Sequence, residues 1–154
     1  MNKYKNFIFK NISYTDNDRK IYSDTIPTNV IKIGNQCYSD NVEIIEIIIA
    51  KNVKIIGEYC FNRCIKLKNV IIPSSVRSIS DFCFKECISL SSIRIASSIR
   101  SINDGCLSEC NRLSSVNIPS SCSDWESSSN GRECSSVCMR GGGLKPARHP
   151  THLL

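Results

Sequence analysis

Histidine is nearly missing from this 154-residue chain: there are two, His149 and His152, both close to the C-terminal end. A thiol or hydroxyl nucleophile needs a base beside it, so the long N-terminal part of the chain offers neither a Ser–His nor a Cys–His pair. No G-x-S-x-G turn and no phosphate-cradling glycine loop occurs either, and no catalytic residue and no cofactor is assigned. Long apolar runs are also lacking. The longest, residues 47–50, falls far below the roughly 20 residues that span a bilayer, and residues 7–9 are too few for the apolar region of a signal peptide. The expectation is no membrane insertion and a cytoplasmic location by default. Strong charge of one sign is absent as well. The net charge of +6 divides into +2 over residues 1–25, +3 over 26–122 and +1 over the remainder. That is too diffuse to indicate a nucleic-acid partner.

What the chain does have is a period. Ile26, Ile49, Ile72, Ile95 and Ile118 are spaced by 23 residues, and the same step links Val30, Val53, Val76 and Ile99. It recurs through Ile33, Ile56, Ile79 and Ile102, through Cys37, Cys60, Cys83 and Cys106, and through Tyr38, Phe61, Phe84 and Leu107. Two further columns are Ile44, Leu67, Leu90, Leu113 and Ile47, Val70, Ile93, Val116. One such unit cannot bury its apolar side alone, but stacked units hide their columns against one another and build a continuous core. Within a unit, residues 67–72 alternate as a short strand should, with Val70 and Ile72 inward and Asn69 and Ile71 outward. Pro73-Ser74-Ser75 breaks that strand, and residues 81–87 fit about one helical turn.

The unit Ile72-Pro73-Ser74-Ser75-Val76, continuing through Ile79, Cys83-Phe84, Cys87 and Leu90, resembles the BspA-type leucine-rich repeat, whose pattern is I-P-x-x-V-x-x-I-G-x-x-A-F-x-x-C-x-x-L. Cys60, Cys83 and Cys106 stand where that pattern has alanine. The resemblance implies an α/β repeat solenoid: a right-handed leucine-rich-repeat superhelix with a parallel β ladder on the concave side and short helical turns on the convex side. It also implies surface attachment and protein recognition, which suggests surface association, and no enzyme activity.

The repeat divides the chain into a cap segment at 1–25, a solenoid at 26–122 of four 23-residue units and the start of a fifth, and a tail at 123–154. In the cap, residues 7–9 with Ile12 and Tyr14 can add a strand or hairpin over the first coil. All 23 isoleucines precede residue 123, and the tail's serine, glycine and proline content predicts disorder from about residue 124. That leaves the last coil without an evident cap, so self-association through it is the alternative to a binding role.

Ten cysteines invite a metal reading, because Cys60/Cys64, Cys83/Cys87, Cys106/Cys110 and Cys134/Cys138 share zinc-like spacing. The first three pairs recur at the repeat period, which points to small buried core residues, and no metal site is assigned. The tail pair, with His149 and His152, is the better metal candidate of the four. Disulfides between coils are not expected, since stacked equivalents stand about 4.8 Å apart with parallel side chains. Asp16-Asn17-Asp18 hints at calcium, but Lys20 occupies a ligand position and no glycine follows.

Stacking also turns single charges into rows. Lys54, Arg77 and Arg100 form a candidate anion-binding row, and Glu58, Asp81 and Asp104 form a second that helix N-termini would favour and that would offset the cations. The outward face of the strand ladder carries Glu46, Asn69, Ser92 and Ser115 in one column and Ile48, Ile71, Arg94 and Asn117 in the next. Two neighbouring isoleucines facing solvent signal a partner site, unless the N-terminal segment folds over Ile48. The reading is a protein-binding, or cell-surface glycan-binding, module whose partner is unidentified.

Overall fold

Alternation of apolar and polar residues at the repeat period dictates two parallel ladders, and the computed structural model contains both. It describes residues 13–22, 24–103, 105–114, 116–122 and 138–140. The elements in chain order are β1 (Ser13–Tyr14), α1 (Asp16–Tyr22), β2 (Lys32–Ile33), β3 (Glu46–Ile48), β4 (Ile55–Ile56), β5 (Asn69–Ile72), β6 (Ser78–Ile79), β7 (Ser92–Ile95), β8 (Ser101–Ile102), β9 (Val116–Ile118) and β10 (Cys138–Arg140). The first ladder runs β1-β2-β4-β6-β8 and the second β3-β5-β7, every pair parallel. Register follows the period: Glu46 pairs with Asn69 and Asn69 with Ser92, while Ile48 pairs with Ile71 and Ile71 with Arg94. β9 lies beside β7.

Between the ladders the inward residues of successive coils form one core. Val30, Ile33, Val53, Ile56, Val76, Ile79 and Ile99 are fully buried, and each side chain of that size removed from water is worth about 1.5–3 kcal/mol. Tyr38, Phe61 and Phe84 stack face to face, with centroids 4.9 and 5.1 Å apart. The first two coils approach so closely that a Cβ on Gly57 would stand 2.7 Å from both Asn35 N and Gly34 C. Only glycine fits there.

The third side of each coil differs from the expected helical turn. Residues 35–40, 58–63 and 81–86 form turns in which two positions per coil have positive φ: Gln36, Tyr59, Phe82 and Gly105 in one column, Asp40, Arg63, Glu86 and Glu109 in the other. The two left-handed residues of a turn stand four apart, and N–H groups at alternate positions between them reach the next coil, beside short local bonds such as Ser39 N to Gln36 O and Asn41 N to Tyr38 O. Gln36, Tyr38 and Asp40 donate their N–H groups to the carbonyls of Glu58, Cys60 and Asn62. Tyr59, Phe61 and Arg63 donate in turn to Asp81, Cys83 and Lys85, and Phe84 and Glu86 to Cys106 and Ser108. Every one of these N–H groups points toward the C-terminal end. With no helix among the described residues on this side, the expected placing of Glu58 and Asp81 at helix N-termini does not hold, and Asp104 lies outside the described residues.

At the N-terminal end the chain covers the first coil with β1 and α1. Thr15 and Asp18 cap the helix reciprocally: Thr15 N and Oγ1 donate to Asp18 Oδ2 at 2.8 and 2.6 Å, and Asp18 N donates back to Thr15 Oγ1. Asp16 is held by Lys20 and Arg19, whose hydrogen bonds keep its carboxyl below the usual carboxylate range. These contacts account for the two aspartates that hinted at calcium. Arg19 also donates from Nε to Cys37 O at 2.9 Å, lies over the Tyr38 ring and pairs with Asp24.

At the other end β10 pairs in parallel with β9, Cys138 opposite Val116 and Arg140 opposite Ile118. These three residues fall in the stretch expected to be disordered, and they occupy the edge of β9 that an uncapped coil would present for self-association. The rest of the tail, with Cys134, His149 and His152, lies outside the described residues.

Candidate binding faces

The outer face of the second ladder is built by the strict alternation of β3, β5 and β7. Ile47, Val70 and Ile93 turn inward, which leaves Glu46, Ile48, Asn69, Ile71, Ser92 and Arg94 facing solvent. Ile48 is 67% exposed and Ile71 40%, and their direct pairing makes them one apolar patch between polar columns. The described N-terminal elements pack at the first ladder and leave Ile48 open. Asn117 lies in β9, opposite Met139; its side chain, and Ser115 altogether, fall outside the described residues.

Sequence reasoning missed a second apolar row. Val42, Ile65 and Ile88 are exposed and recur at the period of 23, and Ile45 is exposed just before β3. The spacing alone would have revealed the row. The row is broken at its fourth position by Asn111, and an apolar column at the repeat period ordinarily marks core.

Lys54, Arg77 and Arg100 stand in one column, each immediately before its strand, β4, β6 or β8. Their backbones are tied coil to coil: Lys54 N donates to Ile31 O at 2.7 Å, Arg77 N to Lys54 O at 2.8 Å and Arg100 N to Arg77 O at 3.1 Å. All three side chains are exposed. Among the described residues none of them makes an ion pair, with Glu58, Asp81 or any other acid.

The eight cysteines from Cys37 to Cys122 are core. Cys37, Cys60 and Cys83 lie fully buried in one column with Cys106, and Cys64, Cys87 and Cys110 fill another. In the second column each thiol donates to a carbonyl of the preceding coil: Cys64 to Tyr38, Cys87 to Phe61 and Cys110 to Phe84, at 3.1, 3.0 and 3.1 Å. Where no such coil precedes, the column holds Asn41, whose amide donates to Asp24 of the N-terminal segment. Burial raises the Cys37 thiol to about 12 and those of Cys60 and Cys83 well above the ordinary range. Thiols held protonated are poor nucleophiles. Among the described residues no three His, Cys, Asp or Glu side chains come together as a metal site.

Comparison with known proteins agrees with this geometry. The family model described as the BspA-type leucine-rich repeat region matches residues 4–136 in six copies. A leucine-rich repeat protein of T. pallidum is similar over 66% of this chain and 46% of its own, with 27% identity and a TM-score of 0.61. A leucine-rich cell surface protein of Faecalibacterium prausnitzii is similar over 73% of this chain and 27% of its own, at 25% identity and a TM-score of 0.61. A leucine-rich repeat protein of Bacteroides ovatus is 31% identical over 60% of this chain and 24% of its own, with a TM-score of 0.56. The chain spans less than half of each of these relatives. Comparison with curated proteins gives no match. A repeat of 23 residues, two parallel ladders and a match over most of the length together make the chain a member of the BspA-type leucine-rich repeat family.

Proposed function

We propose that this chain is a non-catalytic binding module that recognises a protein through the outer face of β3, β5, β7 and β9. Glu46, Ile48, Asn69, Ile71, Ser92, Arg94, Ser115 and Asn117 are its contact residues. The observation that carries the reading is the Ile48–Ile71 pair, exposed and in register on an otherwise polar sheet. Isolated exposed apolar residues need no partner, but a contiguous patch rimmed by polar groups does signal one. Ile48→Asp/Ile71→Asp is expected to keep the far-ultraviolet circular dichroism of the native chain and to lose whatever protein the native chain captures from a membrane or matrix extract. Equal capture by both chains defeats the assignment. Self-association through the terminal coil is the less favoured reading, because β10 occupies the edge of β9.

Location belongs to the same proposal. The F. prausnitzii relative is a cell surface protein, which supports surface display over the cytoplasmic default. No helix among the described residues is long and apolar enough to cross a membrane. The cysteine content does not oppose export, because buried, carbonyl-bonded thiols are shielded from oxidation in either compartment. Brief protease treatment of intact cells is expected to remove the protein, and full protection from protease that still degrades a known surface marker overturns this placing.

A further inference from the structure

The two halves of each coil differ in charge. Residues 47–57, 70–80 and 93–103 run from inside the second ladder, through the turn, to the end of the first ladder. In three successive coils they contain Lys51, Lys54, Arg77, Arg94 and Arg100 and no acid. All five cations are exposed and, among the described residues, none is ion-paired. The acids of these coils all lie in the other half, where some are matched across coils, Lys66 with Glu43, Arg63 with Glu86 and Asp40, Lys85 with Glu109, while Glu46, Glu58 and Asp81 make no ion pair among the described residues. One wall therefore carries five unpaired cations and no acid, an unbalanced positive charge, and the other carries all the acids.

We propose that the unbalanced wall binds an acidic polysaccharide laid along the solenoid axis, with Lys54, Arg77 and Arg100 as its central contacts. Three features fit that ligand. First, the row is rigid: backbone bonds fix its three members coil by coil, at the ladder step of about 4.8 Å. Like charges stacked directly opposite repel, and anionic groups on successive sugars would relieve that repulsion. Second, the turns beside the row present Ser74 and Ser97 at exposed positions, neutral groups suited to sugar hydroxyls. Third, residues 47–57, 70–80 and 93–103 contain no Phe, Tyr or Trp. Binding of single-stranded nucleic acid draws on aromatic stacking platforms, so the wall lacks what would favour that other class of polyanion. The inference is independent of the protein-binding reading: of the residues named there it shares only Arg94.

A size-defined heparin fragment, titrated calorimetrically against the native chain at moderate ionic strength, is the test. Lys54→Gln/Arg77→Gln/Arg100→Gln, all on exposed sites, is expected to weaken binding at least about tenfold, and the affinity of the native chain to fall as salt is raised. Arg63→Gln/Lys66→Gln/Lys68→Gln removes the same formal charge from the opposite half and is expected to change it by less than about twofold. No heparin binding, or an equal loss in the two variants, overturns the proposal, the second because binding would then follow net charge. Equally tight binding of a single-stranded oligonucleotide overturns the choice of ligand. The Ile48→Asp/Ile71→Asp chain should bind heparin like the native one, so failure here and failure of the protein-binding reading are distinguishable.

Discussion

In the presence of a reductant, raising the pH from 7 is expected to unfold the array cooperatively, with a midpoint between about pH 9 and 10.5. The folded chain holds its thiols protonated: burial lifts Cys37 to about 12 and carries Cys60 and Cys83 well above the ordinary range, and the neighbouring Cys64 thiol together with burial raises Cys87. In the unfolded chain the same groups titrate near 8.5. Their contribution is therefore fully present below about pH 8.5 and is lost as the pH climbs toward the folded values. One pH unit above the unfolded value, each such thiol favours unfolding by about 1.4 kcal/mol. Four together approach the roughly 5–15 kcal/mol that stabilises a whole domain. Tyr14, pushed up to about 12 chiefly by burial, adds to the same trend above pH 10. Urea titrations at pH 7, 8.5 and 9.5 check the sign, and stability that stays level through pH 9.5 would show that the thiols are not held as described.

The second large effect is expected at the middle of the aromatic stack. Phe61 is fully buried between Tyr38 and Phe84, and Phe61→Ala removes ring contacts on both faces at once. Truncation of a buried phenylalanine costs about 3–5 kcal/mol. In a stacked array the loss also loosens the interfaces with the coils on either side, since each repeat is held by its neighbours. Phe61→Leu should cost less than half as much, because Leu107 fills the equivalent position of the last full coil. Chemical denaturation of the two variants measures the difference. Similar midpoints for both would mean that volume in this column is unimportant and that the stack is not a main support of the fold.

Residues with an apolar reason for their place were legible from sequence, and those with a backbone reason were not. Val70 and Ile72 declared their strand through alternation, and the period of 23 placed them opposite Ile93 and Ile95. The turns at 35–40 and 58–63 carry no such mark. Their left-handed positions hold Gln36, Asp40, Tyr59 and Arg63, and those of the next turn Phe82 and Glu86, mostly types that rarely adopt positive φ, so that Asp40 and Gly105 alone hint at the conformation. A polar stretch with an aromatic therefore read as helix. Helix α1 was missed for the opposite reason: Thr15 and Asp18 form a recognisable capping signature, but Asp16 and Asp18 drew attention to calcium instead. Ile48 and Ile71 were visible as outward residues of the candidate face. The unbalanced charge of the adjoining wall was hidden in the total of +6, because acids and bases separate only when the coil is closed and its halves face different directions.

The inter-coil hydrogen bonds of the turns give that wall of the coils an electrical direction along the axis, opposite to that of the Lys54, Arg77 and Arg100 N–H groups at the first ladder. Each peptide carries a dipole of about 3.5 D, and here up to three per coil point the same way and add from coil to coil. The first coil ends in partly negative carbonyls and the far end in partly positive N–H groups. Arg19, donating to Cys37 O, places a full positive charge against that first, carbonyl end, in the way that a basic residue suits the last turn of a helix. The turn wall is thus polar, and its two ends are not interchangeable. A further repeat array added head to tail would extend the polarity, whereas two arrays meeting carbonyl end to carbonyl end would oppose like partial charges and leave Arg19 to be shared.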